Sequence, residues 1–146
     1  MDTGNTAWLL MSTGLVMFML AGMSLFYGGL VRRKNVLSTM AQSLAAVAMI
    51  SILWVTFGYS LAFVGDGPWI GTLDRWFLIG MTMESVNPAA KTIPEALFML
   101  YQMTFAIITV ALVAGAVADR MRFSAYLLFS IGWFMLVYVP LAHWVW

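Results

Sequence analysis

Four stretches of this chain are nearly free of charge: Ala7–Val31, Leu37–Val64, Ala96–Ala118 and Phe123–Trp146. Each exceeds the roughly 20 residues that a helix needs to cross the hydrocarbon core of a bilayer. Ordinary soluble domains carry about 25% charged residues; here 9% are charged and 63% are hydrophobic. A water-exposed surface cannot be built from that supply. The reading is an all-α integral membrane protein with about four transmembrane helices, expected near 7–31, 37–64, 96–118 and 123–146.

The net charge of +1 says little, but its distribution orients the chain. Arg32, Arg33 and Lys34 follow the first span, and Arg120 and Arg122 follow the third. The long segment between spans two and three holds Asp66, Asp74, Glu84 and Glu95 against Arg75 and Lys91. Because Lys and Arg collect in cytoplasmic loops, both ends of the chain and the 65–95 segment are expected outside. No basic residue precedes the first apolar run, which argues against a cleaved signal peptide. The chain has no cysteine, so disulfides and thiolate metal sites are excluded.

The basic turns are short, so spans one and two, and spans three and four, are expected as tight hairpins. Ser24 and Gly28 form a small-xxx-small pair that lets helix backbones approach closely, and "AQSLAAVAMIS" reads as an interface helix. In the external segment, Leu73–Gly80 is expected as a short surface helix, Trp69 and Trp76 as interfacial aromatics, and Pro94-Glu95 as the start of span three. No internal repeat or low-complexity segment stands out.

Within span three, Tyr101, Phe105, Ile108 and Leu112 fall in one narrow wedge of a helix. Met23, Phe26 and Tyr27 share a face of span one. Such spacing is the usual one for packed helix faces, so periodicity alone favours packing over a solute pathway. Gln102 and Thr109 lie beside the wedge, where interhelical hydrogen bonding is the plain expectation. His143 is the single histidine and reads as an interfacial or hydrogen-bonded residue; Trp144 and Trp146 read by default as interfacial aromatics. No carboxylate pair, histidine pair or glycine-rich phosphate loop lies at membrane depth, so an enzyme is not expected, nor a metal, a cofactor or a nucleic-acid partner.

Taken together, "DTGNTAW", "FYGGLVRRKNVLSTMAQS", "WVTFGYSLAF", "YQMTFAIITVALVAGAVADRMRFSA" and "YVPLAHWVW" resemble the N-terminal part of the ammonium transporter family, which spans bacterial and plant transporters, fungal permeases and Rhesus-type proteins. The resemblance runs from Asp2 to Trp146 and is weakest around residues 66–92. It implies part of an eleven-helix fold, in homotrimers whose subunits each carry a pore, in a multi-pass (inner) membrane protein. By match to the family motifs, Tyr101 corresponds to the vestibule aromatic, Phe105 to the first ring of the phenyl gate and Trp146 to the recruiting tryptophan. Met23, Phe26, Tyr27, Ile108 and Leu112 correspond to the pore wall. Ammonium or ammonia is the implied substrate, membrane lipid the surroundings, and a PII-type regulatory protein an implied partner.

The family's pore histidines, its second gate phenylalanine and seven further helices have no counterpart in residues 1–146. The sequence is therefore expected to be a fragment that does not conduct alone. Two other functions fit the same residues. One is an ammonium-sensing membrane domain coupled to a signalling module, which a cytoplasmic output domain would favour. The other is a small four-helix membrane interaction protein, for which the aromatics would be packing.

Overall fold

The structure, a computed structural model, describes residues 1–146. It is all-helical, with four helices long and apolar enough to cross a membrane. Helix α1 is Thr3–Leu30, α2 is Arg33–Phe63, α3 is Glu95–Val117 and α4 is Phe123–Val145. The chain folds as an all-α integral membrane protein, and α3, the most buried of the four, sits at its centre.

The first helix begins before the expected Ala7. Asp2 caps it, its Oδ1 accepting the Asn5 N–H at 2.7 Å, and a cap satisfies a backbone donor that the first turn would leave free. The Asp2 N–H donates to Thr92 O at 2.7 Å, tying this end of α1 to the segment that leads into α3. At the other end, Gly28 lies against Met40 of α2; a Cβ there would stand 3.2 Å from Met40 Cγ. The small residue brings the hairpin helices together, as expected from the Ser24–Gly28 spacing.

Helices α2 and α4 each contain one π turn, at Trp54–Gly58 and Phe134–Tyr138. The two turns pack on each other. Trp54 is fully buried, with Phe134 and Tyr138 at ring distances of 6.3 and 6.2 Å. Its indole N–H donates to Met99 O on α3 at 3.1 Å, which satisfies a polar group that has no water at this depth. Gly58 makes the contact possible, since a Cβ there would lie 2.7 Å from Phe134 Cζ.

The expected surface helix at Leu73–Gly80 is not formed. A single 3-10 turn occupies Trp76–Leu78, and Phe77 and Leu78 take positive φ values of 49° and 59°. Right-handed helix cannot continue through that backbone. Instead the external segment is held by side chains. Ser60 Oγ donates to Thr72 O at 2.7 Å and accepts the Arg75 N–H at 3.0 Å. Trp69 and Trp76 are both exposed.

On the side opposite this segment, α3 ends where Asp119 adopts φ 61°. Asp tolerates this left-handed geometry better than most residues. Asn35 Nδ2 donates to Asp119 Oδ1, and the Arg32 N–H donates to Oδ2 at 3.3 Å. The two basic turns are thereby latched together.

Candidate functional site

Tyr101 and Phe105 lie one turn apart on α3, and their rings meet edge to face at 5.0 Å with an interplanar angle of 77°. Both are half-buried. The face they begin continues through Ile108 to Leu112. At 1.5 Å per residue it runs about 16 Å along the helix, roughly half the thickness of a hydrocarbon core.

The lower part of this stripe faces α1. Phe18, Met19, Gly22, Met23, Phe26, Tyr27, Ile108 and Leu112 enclose an open, almost wholly apolar groove of about 550 Å³. All five residues matched by sequence to a pore wall therefore line one groove. Ile108 is buried at its floor, while Phe26 and Leu112 are exposed at its edges. Phe18, Met19 and Gly22 were missed; carrying the α1 face one turn upstream of Met23 would have found them. Tyr27 closes one end. Its ring lies over Gly115, where a Cβ would stand 2.6 Å from Cζ, and its hydroxyl donates to Leu112 O at 3.4 Å.

The polar residues beside the stripe do not bridge helices as expected. Thr109 Oγ1 donates to Phe105 O of its own helix at 2.6 Å, the usual outlet for a helical threonine. Thr104 Oγ1 likewise donates to Tyr101 O at 2.7 Å. Gln102 is buried, and its Oε1 has no hydrogen-bond partner. The carbonyls of both aromatic residues thus each accept from a neighbouring threonine, with the unpaired Gln102 oxygen beside them.

Trp146 lies in a neighbouring pocket and forms no ring pair with Tyr101 or Phe105. It packs at 6.2 Å on Phe63, which meets Phe98 edge to face at 5.1 Å. Phe98 is three residues ahead of Tyr101 on α3, and no ring pair joins the two. The pocket measures about 480 Å³ and includes Asp66, Asn87, His143 and Trp146. His143 is hydrogen-bonded, as expected, with Nδ1 3.0 Å from Ala62 O and Nε2 2.7 Å from Gly67 O. Trp144 Nε1 donates to Trp69 O at 3.0 Å. The end of α4 therefore grips the external segment at two points.

Behind these rings lies a polar cluster that spacing did not reveal. Glu95, in the first turn of α3, is 2% exposed and accepts the Tyr59 hydroxyl at 3.0 Å. It forms the one ion pair of the structure, with Arg75 at 3.4 Å. Asn87 Nδ2 donates to the Tyr59 hydroxyl at 2.9 Å and to Phe63 O at 3.3 Å. These groups come from α2, α3 and two points of the external segment. No group of three or more His, Cys, Asp or Glu residues could hold a metal ion.

Chemically, the arrangement offers aromatic faces at an outer mouth, a paired ring step, and then an apolar groove without a charged side chain. A cation gains roughly 0.5–2 kcal/mol over an aromatic face. That is far below the cost of taking a bare ion into hydrocarbon. Such a surface can concentrate a small cation at the mouth and refuse it further in, unless it sheds its charge.

The profile of the Ammonium Transporter Family matches residues 7–146. An ammonium transporter of Bacillus subtilis is 49% identical over 146 residues, covering 100% of this chain and 36% of its own length. A putative ammonium transporter of Methanothermobacter thermautotrophicus is 48% identical over 150 residues, covering 100% and 36%. Among solved structures, Candida albicans Mep2 superposes with a TM-score of 0.86 at 34% identity, over 99% of this chain and 32% of its own. Saccharomyces cerevisiae Mep2 gives 0.85 at 33% identity, over 99% and 33%. The chain spans about a third of the length of these relatives.

Proposed function

The chain belongs to the Ammonium Transporter Family, and from that premise we propose that it supplies part of the outer mouth and one wall of an ammonium/ammonia pathway across the cell membrane. The observation that carries this is the Tyr101–Phe105 ring pair standing on the same face of α3 as Ile108 and Leu112, which line the apolar groove together with Met23, Phe26 and Tyr27. Trp146, beside Asp66 and backed by Phe63, concentrates the cation outside. Tyr101 holds it at the rings. Phe105 is the gate: ammonium passes by giving up its proton, whereas potassium and sodium have none to give.

The basic turns at Arg32–Lys34 and Arg120–Arg122 face the cytoplasm, and the 65–94 segment faces outward. In a protein of the relatives' length, further helices close the open side of the groove, and a homotrimer with a PII-type regulator is the assembly to look for. The test is uptake of the ammonium analogue methylammonium by the protein as its host makes it. Trp146→Leu should raise the concentration needed for half-maximal uptake. Identical concentration dependence in the two proteins would remove Trp146 from the site.

A further inference from the structure

Near the outer end of α4, one half-buried histidine has a carbonyl oxygen on each side of its ring. His143 Nδ1 lies 3.0 Å from Ala62 O, and Nε2 lies 2.7 Å from Gly67 O. A carbonyl oxygen can only accept, and a neutral imidazole carries a proton on one nitrogen alone. In the neutral ring, one of the two contacts would set a nitrogen lone pair against an oxygen lone pair. Both contacts are hydrogen bonds only when both nitrogens carry protons. The arrangement is therefore that of an imidazolium.

The two acceptors have no backbone donor of their own. Ala62 stands in the last turn of α2, where carbonyls run out of helical partners, and neither Ala62 O nor Gly67 O accepts a backbone N–H. The segment between them folds back on the helix end. The Gly71 N–H donates to Leu61 O and the Thr72 N–H to Val64 O, each at 2.7 Å. His143 thus ties α4 both to the end of α2 and to the 64–72 loop. Phe63, next to Ala62, carries the ring on which Trp146 packs at 6.2 Å, and Trp146 follows His143 by three residues.

Few charges surround the ring. Asp66 lines the same pocket from the loop, is exposed, and forms no ion pair with it. From α2, the Tyr59 hydroxyl goes to Glu95 of α3, and Glu95 in turn pairs with Arg75. None of those three lines the pocket, and neither does any lysine or arginine.

We propose that His143 is a positioning residue that holds the outer mouth together only while doubly protonated. The imidazolium bridges Ala62 O to Gly67 O. Loss of one ring proton releases one of the two carbonyls and frees the 64–72 loop beside Phe63 and Trp146. The bridge follows from its own geometry; its bearing on cation capture rests on the functional reading of Trp146.

The experiment combines nitrogen NMR and hydrogen exchange on the protein as its host makes it, with histidine labelled with 15N. The titration runs from about pH 5 to about pH 9, spanning the range in which histidines change charge. The ring is assigned by its nearness to a 13C-labelled glycine carbonyl and by its loss in His143→Gln. At the acid end it should show two N–H groups, and at the alkaline end one. Exchange protection of peptides spanning 64–72, corrected for the intrinsic rate, should fall about tenfold in step, as expected when a hydrogen bond to a charged group is lost. His143→Gln should show no such step, and Asp66→Asn should keep it. One ring proton at every pH, or two at every pH, overturns the proposal. So does protection that is unchanged as the second proton leaves, an equal step in His143→Gln, or a step abolished by Asp66→Asn. Should His143→Gln fail to assemble, the wild-type ring signal and loop protection decide by whether they change together. Neither readout depends on transport, so a Trp146→Leu protein with unaltered uptake would remove the mouth reading and leave the bridge standing.

Discussion

The Tyr59 hydroxyl stands 3.0 Å from Glu95 Oε1, joining the outer end of α2 to the first turn of α3 across 36 residues of chain. The same hydroxyl accepts from Asn87 at 2.9 Å. One oxygen thus links two helices and the external segment, directly behind Phe63 and Trp146. Tyr59 stacks on Phe63 at 6.0 Å, so the polar cluster and the aromatic mouth share a wall.

Tyr59→Phe keeps the ring and removes that oxygen, leaving buried Glu95 and Asn87 each short of a partner. The expected loss is about 1–3 kcal/mol of stability, read as a fall in the melting temperature of the purified protein. Combined with Glu95→Leu, which removes the acceptor, the losses should sum to less than the two alone, because both changes break one contact. Full additivity would mean the two residues are not coupled.

Gly58→Ala puts a methyl group 2.7 Å from Phe134 Cζ, where the two π turns meet. Overpacking of this kind destabilises by about 1–3 kcal/mol. Phe134→Leu in the same chain should restore part of the loss, measured again by thermal unfolding. If Gly58→Ala is neutral, the two turns are not in the contact described.

The Asn35 amide beside Asp119 holds its carboxyl below the usual carboxylate range, helped by the Arg32 N–H and the nearby cations. A depressed value in the folded state means the contribution is complete above the usual range and is lost as pH falls through the depressed value. Hydrogen exchange of the 118–122 turn, corrected for the intrinsic rate, should therefore lose protection on acidification below that range. Asp119→Asn keeps a residue suited to positive φ but removes the titration, and its protection should not vary over the same interval. An identical acid response in both proteins would exclude Asp119 as the latch.

The spans and both basic turns were legible because length and charge bias act locally along the chain. The groove was legible as two separate helix faces, one on α1 and one on α3, and the resemblance joined them. The Glu95–Tyr59–Asn87–Arg75 cluster was not, because its members lie 20 or more residues from Glu95 or meet through a segment without periodicity, and no pattern marks such contacts. Neither were the π turns, since "WVTFG" and "FMLVY" read as ordinary apolar helix until Gly58 is seen beneath Phe134. Leu73–Gly80 misled because its apolar spacing is helical while Phe77 and Leu78 adopt left-handed backbone. Thr109 looked like an interhelical bridge because a sequence does not say whether a hydroxyl turns to its own backbone.

The most direct test of the pathway is Phe105→Ala, assayed in the protein as its host makes it for methylammonium uptake and for potassium leak, with oligomer size checked in parallel. Removing the second ring of the Tyr101–Phe105 pair should change methylammonium uptake and admit potassium while assembly is retained. Unchanged uptake and unchanged potassium exclusion, in a correctly assembled protein, would contradict Phe105 as the gate and return the ring pair to simple helix packing.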